Sequence, residues 1–267
     1  VKLLVALDID GTVLDHDEVI TERVRTAVAD AVAGGAHVVL ATGRSLHGTL
    51  PVLDRLGLLE GWAVCSNGAM TLRLDPLLDK GYEISDVVTF DAAPVLRLMR
   101  EHLPLAVFAV EDDQARRRLT ADFPEGELTG EENTIVAFHD LVDGPTTRVI
   151  VRSPESTPED FLAVVERIGL HGVSYAVGWT AWLDLAPDGV SKASALEVVR
   201  ERLGVAAQDT VAVGDGRNDV EMLAWAGRGV AMGQAVPEVQ AAADEVTAPV
   251  EEDGVAVVLE DLLAHRR

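Results

Sequence analysis

Three short apolar runs, KLLVAL at 2–7, HVVLA at 37–41 and WAVCS at 62–66, punctuate the opening of the chain. Each is too short for a buried helix and shows no polar alternation, which is the pattern of a strand covered on both faces. Between the first two, Thr21 reads as an N-cap, and Val24, Ala27, Val28, Ala31 and Val32 follow at the spacing of one helical face before Gly34-Gly35 ends it. A second helix is expected between Ser45 and Leu56. Strand, helix, strand, helix, strand dictates a parallel α/β sheet.

The alternation returns late. A helix from Ser191 to Leu203 stops at Gly204, TVAVG (210–214) reads as a strand, Val220–Ala226 as a helix and GVAM (229–232) as another strand. Val255, Val258, Leu259 and Leu262 mark a last helix. Residues 83–187 have a different texture. They hold a helix at 158–168, with Thr157 as N-cap, Pro158 at its first position and Phe161, Val164, Val165 and Ile168 on one face. Around it lie the shorter strands LAVFAV, TRVIVR, VSYAV and AWLDL and the acidic loop EGELTGEEN. The expected organisation is a core of residues 1–82 and 188–267 with an α+β module, 83–187, inserted and re-entered through LAPDGVSK.

The 267 residues are 48% hydrophobic but only 4% aromatic, so the core is built from Ala, Val and Leu. A formal net charge of −23 argues against nucleic acid as a partner, since duplex binding needs a basic footprint. An anionic small substrate would need a local cation to offset that field. Lysine occurs only at 2, 80 and 192. Cys65, the one cysteine, allows neither a disulfide nor a thiolate metal site and reads as a small buried hydrophobe. The apolar run before Asp8 is shorter than a signal-peptide core, and none approaches the roughly 20 residues of a membrane span. A cytoplasmic protein without a membrane partner is expected; no feature specifies an oligomeric state.

Ligands of open α/β sheets bind beyond the carboxyl ends of the strands, and three strands end there in polar groups. KLLVAL leads into Asp8-Ile9-Asp10-Gly11-Thr12, HVVLA into Thr42-Gly43-Arg44, and TVAVG into Asp215-Gly216-Arg217-Asn218-Asp219; Lys192 opens the helix after the module. Singly, each has an ordinary explanation: Asp and Gly favour turns, and a lysine is most often solvated. Neighbouring strands lie about 5 Å apart, so together the groups can converge in one pocket, and converging carboxylates suit Mg2+.

As a set, the motifs DIDGT, ATGR, SNGA, GVSK and GDGRND, with the tail AMGQA…ADEVT…EEDGVA, resemble haloacid dehalogenase (HAD) superfamily phosphatases of the Cof-like group. The resemblance spans nearly the whole chain and implies a Rossmann-like parallel-sheet core with an inserted α/β cap that closes over the pocket and selects the substrate. It also implies a Mg2+-dependent hydrolysis of a small phosphorylated metabolite, such as a sugar phosphate. Asp8 would be the nucleophile, ionised at neutral pH with a reference pKa of about 3.9, and Asp10 the acid and base. Thr42 and Lys192 would complete the catalytic group. Thr12, Gly43, Arg44, Asn67 and Asn218 would serve the substrate, and Asp8, Asp10, Asp215 and Asp219 the metal. Gln234 stands where the group more often has Asn.

Other features stay open between roles. Arg44 either contacts the leaving group or pairs with a surface carboxylate. Asn67-Gly68 fits a two-residue type I′ turn, and Asp15-His16-Asp17, in the loop after Asp8, fits a solvated flap better than a second metal site. Trp179 and Trp182 either pack in the module's core or form an aromatic lid. Arg116-Arg117-Arg118 reads as an exposed helix face. The alternative functions are a phosphosugar mutase, a receiver-like signalling module and an inactive phosphate-binding protein. A metal-dependent glycosyltransferase leaves Lys192 and GDGRND unexplained, and receivers are much shorter.

Overall fold

The computed structural model describes residues 2–124, 127–128, 133–178 and 180–265. The chain divides into two compact units, one of Val1–Asp86 and Ser191–Arg267, the other of Val87–Val190. The first begins with β1 (Leu3–Leu7), α1 (Glu22–Ala33), β2 (Ala36–Ala41), α2 (Leu46–Leu56), β3 (Gly61–Cys65), β4 (Met70–Leu74) and β5 (Tyr82–Val87). The second contains α3 (Ala93–His102), β6 (Val107–Asp112), β7 (Arg117–Leu119), β8 (Asn133–Ile135), α4 (Phe138–Leu141), β9 (Thr146–Arg152), α5 (Pro158–Ile168), β10 (Val173–Val177) and β11 (Trp182–Pro187). The first unit is then completed by α6 (Lys192–Leu203), β12 (Thr210–Gly214), α7 (Val220–Trp225), β13 (Arg228–Ala231), α8 (Pro237–Ala242), β14 (Glu245–Val246) and α9 (Gly254–Ala264).

The first unit is built on an eight-stranded sheet in the order β14-β13-β12-β1-β2-β3-β4-β5. From β14 to β3 the pairing is parallel, but β4 runs antiparallel to β3, so the sheet is mixed. The reversal follows from the 66–69 connection, which puts Cys65 opposite Met70; it is two residues longer than the expected Asn67-Gly68 turn. Leu4, Val5, Ala6 and Leu7 point alternately to the two faces and are all fully buried. One face packs Leu4, Ala6, Val39 and Ala212 against Leu196, Val199, Met222 and Leu223. Each large side chain so buried stabilises the fold by about 1.5–3 kcal/mol, which fixes the register of the central strands.

That register places the site. Leu7 lies opposite both Leu40 and Val213, so the residues that follow leave neighbouring strands at one edge of the sheet. Helix ends are equally well determined. The Thr21 side chain accepts from the Val24 amide, and α1 buries Val24, Ala27, Val28 and Ala31; Val32, expected on that face, is exposed. Ser191 caps α6 in a reciprocal capping box with Ser194, and Gly204 ends it in the left-handed conformation. Lys192 is thereby the first residue of its helix.

In the second unit a six-stranded sheet, β10-β11-β9-β6-β7-β8, packs Phe108, Val110, Val149, Val151, Leu183 and Leu185 on Leu96 and Met99 of α3 and Phe161 and Val165 of α5. Residues of opposite parity form a smaller cluster of Ala109, Leu119, Phe123 and Ile150, against which Trp182 packs. Trp182 is therefore a packing residue, edge-on to Phe123 and donating its Nε1–H to Asp184; Trp179 lies outside the described residues. The arginine run is not a helix face. Arg117 begins β7 and is buried against Glu111, while Arg116 pairs with Asp112 and Arg118 donates to the Asp140 and Asp143 carbonyls. The alternation of a strand turns Arg117 inward, where Glu111 neutralises it.

Candidate active site

Asp8 follows β1 directly, and its amide continues the ladder by donating to the Val213 carbonyl at 3.0 Å. The chain then folds into a tight turn in which the Ile9 carbonyl accepts from the amides of Thr12, Val13 and Leu14. Gly11 sits in this turn at φ 77°, and a β-carbon there would overlap the Asp215 carboxylate. Only glycine lets the backbone lie so close to that side chain.

Lys192 joins the two ends of the chain. Its Nζ, fully buried, donates to Asp8 Oδ1 at 2.6 Å and to Asp219 Oδ1 at 2.7 Å. Asp219 is fully buried as well, and its Oδ2 accepts from the amides of Asp215 and Gly216 at 3.0 and 2.9 Å. One carboxylate oxygen from each of Asp8, Asp215 and Asp219 lies within 4.8 Å of the other two. Three carboxylates thus face one ammonium. Burial, followed by the Asp219 charge, pushes the Asp8 carboxyl well above the usual range, and Lys192 opposes them. Burial thus works against the ionised form that an ordinary aspartate would adopt, and the Lys192 ammonium works for it. Burial on its own would lower the Lys192 ammonium, but Asp219 and Asp8 outweigh it and push it up. Asp215 is raised to about 6, by burial first and Asp219 second, against the Gln234 bond and Lys192.

The side chain of Asp10 stands apart from these oxygens. It is 57% exposed and takes Arg44 Nε at 2.9 Å and Nη2 at 2.5 Å, while the same Nη2 reaches Glu18 at 2.9 Å. Of the four residues expected around a metal, Asp8, Asp215 and Asp219 bring their carboxylates together, while Asp10, expected there through its backbone carbonyl, turns its side chain away. Arg44 is paired here with the Asp10 and Glu18 carboxylates. The flap also behaves as expected, since Asp15 Oδ1 accepts from the amides of Asp17 and Val19 in a local turn.

Thr42 is fully buried and its Oγ1 accepts from the Arg44 amide at 3.0 Å. Asn218 Nδ2 donates to Asn67 Oδ1 at 2.9 Å, and both amides border the Cα of Gly43. Asn67 has φ 52°, between Ser66 at 49° and Gly68 at 103°, so three successive residues are left-handed. The strain is held by the Asn67 amide on the Thr42 carbonyl, the Ser66 amide on the Arg44 carbonyl and the Asn218 contact. Among the described residues Thr12 Oγ1 has no hydrogen-bond partner although it is buried, a polar atom left over in the turn after Asp8.

Gly68 and Glu18 were not legible in the sequence as site residues, whereas Gln234 stood out there as a side chain that could position the metal loop. Gln234 donates to the Gly11 carbonyl at 2.6 Å and to Asp215 Oδ2 at 3.4 Å. Gly68 packs against the Ser191 carbonyl so closely that a β-carbon would overlap it, seating the start of α6. Glu18 holds Arg44. Gln234 alone carried a signal, its place in the AMGQA motif.

Comparison with known proteins adds a family and a fold. Residues 5–259 match the family described as haloacid dehalogenase-like hydrolase. YkrA of Bacillus subtilis (strain 168) is 31% identical over 272 residues, covering 97% of each chain. The 5-amino-6-(5-phospho-D-ribitylamino)uracil phosphatase YcsE of the same organism is 27% identical over 255 residues, or 95% of this chain and 92% of that one. Among solved structures, a haloacid dehalogenase-like hydrolase from Bacteroides thetaiotaomicron superposes with a TM-score of 0.77 at 25% identity, over 97% of this chain and 99% of that one.

Proposed function

The chain belongs to the haloacid dehalogenase-like hydrolases, and on that premise we propose that it is a Mg2+-dependent phosphatase that cleaves a small phosphorylated metabolite, of the sugar-phosphate kind, through a phosphoryl group carried on Asp8. The observation that carries this reading is the clustering of the Asp8, Asp215 and Asp219 carboxylates at the carboxyl edge of the sheet, with Asp8 and Asp219 both bonded to the Lys192 ammonium. The donor set fits the cation: clustered carboxylate oxygens in excess of the available positive charge suit a hard divalent ion. Asp8, Asp215 and the Asp10 carbonyl would hold Mg2+, which supplies positive charge to the incoming phosphate dianion when bound.

The residues divide the work. Asp8 attacks phosphorus, forming an acyl phosphate as the ester P–O bond breaks. Asp10 gives a proton to the departing alkoxide, then takes one from the water that hydrolyses the acyl phosphate, so the proton count closes. Asp10 must first leave the Arg44 pair, in which both of its carboxylate oxygens are engaged. Lys192 holds Asp8 in place and offers its charge to the same phosphate. Thr42 has its hydroxyl proton free for a phosphate oxygen, since the oxygen accepts only the Arg44 amide.

Asp219 has both oxygens engaged by Lys192 and by backbone amides, so we assign it to positioning Lys192 and the 215–216 turn rather than to the metal. Asn67 and Asn218 flank the pocket floor at Gly43, and Thr12 brings an unpartnered hydroxyl; these are assigned to the substrate. Substrate selection is assigned to the inserted unit. Two relatives at 27% and 28% identity are phosphatases of a phosphorylated ribityl compound, which supports a phosphorylated polyol or sugar as substrate class.

The test is phosphate release across a panel of phosphorylated metabolites, with and without Mg2+, using Asp8→Asn as the blank. Mg2+-dependent release by the wild type and none by the variant is expected. Equal release by both would remove Asp8 from the mechanism.

A further inference from the structure

The Gln234 side chain makes three hydrogen bonds at once. Its Nε2 donates to the Gly11 carbonyl at 2.6 Å and to Asp215 Oδ2 at 3.4 Å, and its Oε1 accepts from the Val250 amide at 3.0 Å. A carbonyl and a carboxylate only accept, and an amide N–H only donates, so the partners dictate which end of the side-chain amide faces which way. Every hydrogen of the NH2 group is used.

The geometry around it is tight. The Cα of Gly11 lies against the Asp215 carboxylate. Gln234 bonds both partners of that contact. Beyond Val250, the same loop is tied down by the Gly233 amide on the Ala248 carbonyl and by Gln240 Nε2 on the Gly233 carbonyl. Thr247 Oγ1 in turn donates to the Gly254 carbonyl at the start of α9. One side chain therefore spans the turn after β1, the turn after β12 and the 247–254 segment.

We propose that Gln234 is a positioning residue for the divalent cation. It fixes the Asp215 carboxylate and the Gly11 backbone in a single arrangement anchored on the 247–254 segment, so cation affinity depends on a residue that does not touch the cation. The proposal rests on Asp215 being a cation ligand. Length is the discriminating property. Asparagine, shorter by one methylene, reaches either the Gly11–Asp215 pair or the Val250 amide but not both; methionine fills the space and bonds to none.

The experiment is calorimetric titration of Mg2+ into the substrate-free full chain, for wild type, Gln234→Asn, Gln234→Met and Asp215→Asn, with melting curves recorded with and without Mg2+. Losses of metal affinity on removing a group that orients a ligand are typically 10–100-fold. Gln234→Met and Gln234→Asn are expected to bind Mg2+ at least about tenfold more weakly and to lose most of the Mg2+-induced rise in melting temperature. A purely structural role would lower the melting temperature equally with and without Mg2+, and affinity within twofold of wild type in either folded variant overturns the proposal. If one variant does not fold, the other decides. Wild-type Mg2+ affinity in Asp215→Asn overturns the ligand assignment, and the proposal with it. Loss of binding in Asp215→Asn alone, with both Gln234 variants unchanged, overturns only the role of Gln234.

Discussion

Asp215→Asn should stabilise the metal-free protein at neutral pH while removing its response to Mg2+. The folded chain holds the Asp215 carboxyl at about 6 against an ordinary 3.8, chiefly through burial and the Asp219 charge. A carboxyl raised in this way favours the fold while protonated, and that contribution is lost as pH climbs from 3.8 through about 6. At ~1.4 kcal/mol per pKa unit the displacement is worth roughly 3 kcal/mol above pH 6. Asparagine keeps an acceptor for Gln234 and discards the charge, but it still buries an amide, so a net gain of about 1–2 kcal/mol is expected. For a domain of this size that is roughly 3–6 °C in melting temperature. Thermal melts in EDTA at pH 7.5 and at pH 4 give the contrast: a gain at the higher pH that nearly vanishes at the lower. A variant less stable than wild type at pH 7.5, or a gain independent of pH, would refute the electrostatic reasoning.

Lys192→Met should have the opposite sign. It leaves Asp8 and Asp219 buried without their shared ammonium, and breaking a buried pair costs about 3–5 kcal/mol, read as a fall in denaturation midpoint at pH 7.5 along with lost turnover. Gly68→Ala should destabilise by at least 1 kcal/mol, since its β-carbon meets the Ser191 carbonyl at φ 103°. Turnover should fall with it because that carbonyl belongs to the N-cap of the helix bearing Lys192; an unchanged melt and unchanged activity would show that the contact does not seat the helix.

The legible part of the fold was the part in which local chemistry and tertiary packing agree. Caps such as Thr21, Thr157 and Ser191 specify their helices through side-chain-to-amide hydrogen bonds made within a few residues, and an unbroken apolar run such as TVAVG matches a strand buried on both faces. Elements decided by distant contacts were misread or missed. Arg117 reads as solvated until Glu111, on a neighbouring strand, is known to neutralise it. The 93–102 helix has no side-chain cap and follows a loop, so Val95, Leu96 and Met99 announce it only weakly. The 66–69 connection turns on three left-handed residues held from outside by Thr42, Arg44 and Asn218. The same division runs through the site. Asp8, Lys192, Asp215 and Asp219 were identifiable because each stands at the end of a strand or the start of a helix. The pairing of Asp10 with Arg44 and the reach of Gln234 depend on side-chain conformations that no spacing encodes.

The central claim is that Asp8, not Asp10, carries the phosphoryl group, and a trapped intermediate tests it most directly. With p-nitrophenyl phosphate, whose leaving group needs no proton, Asp10→Asn can still be phosphorylated but lacks the base that activates water. Acid-quenching that variant in the presence of Mg2+ and sequencing the N-terminal peptide by mass spectrometry should locate the phosphoryl group on Asp8, with a burst of p-nitrophenol stoichiometric with enzyme. Steady turnover without any adduct on Asp8, or an adduct on another residue, would contradict the account.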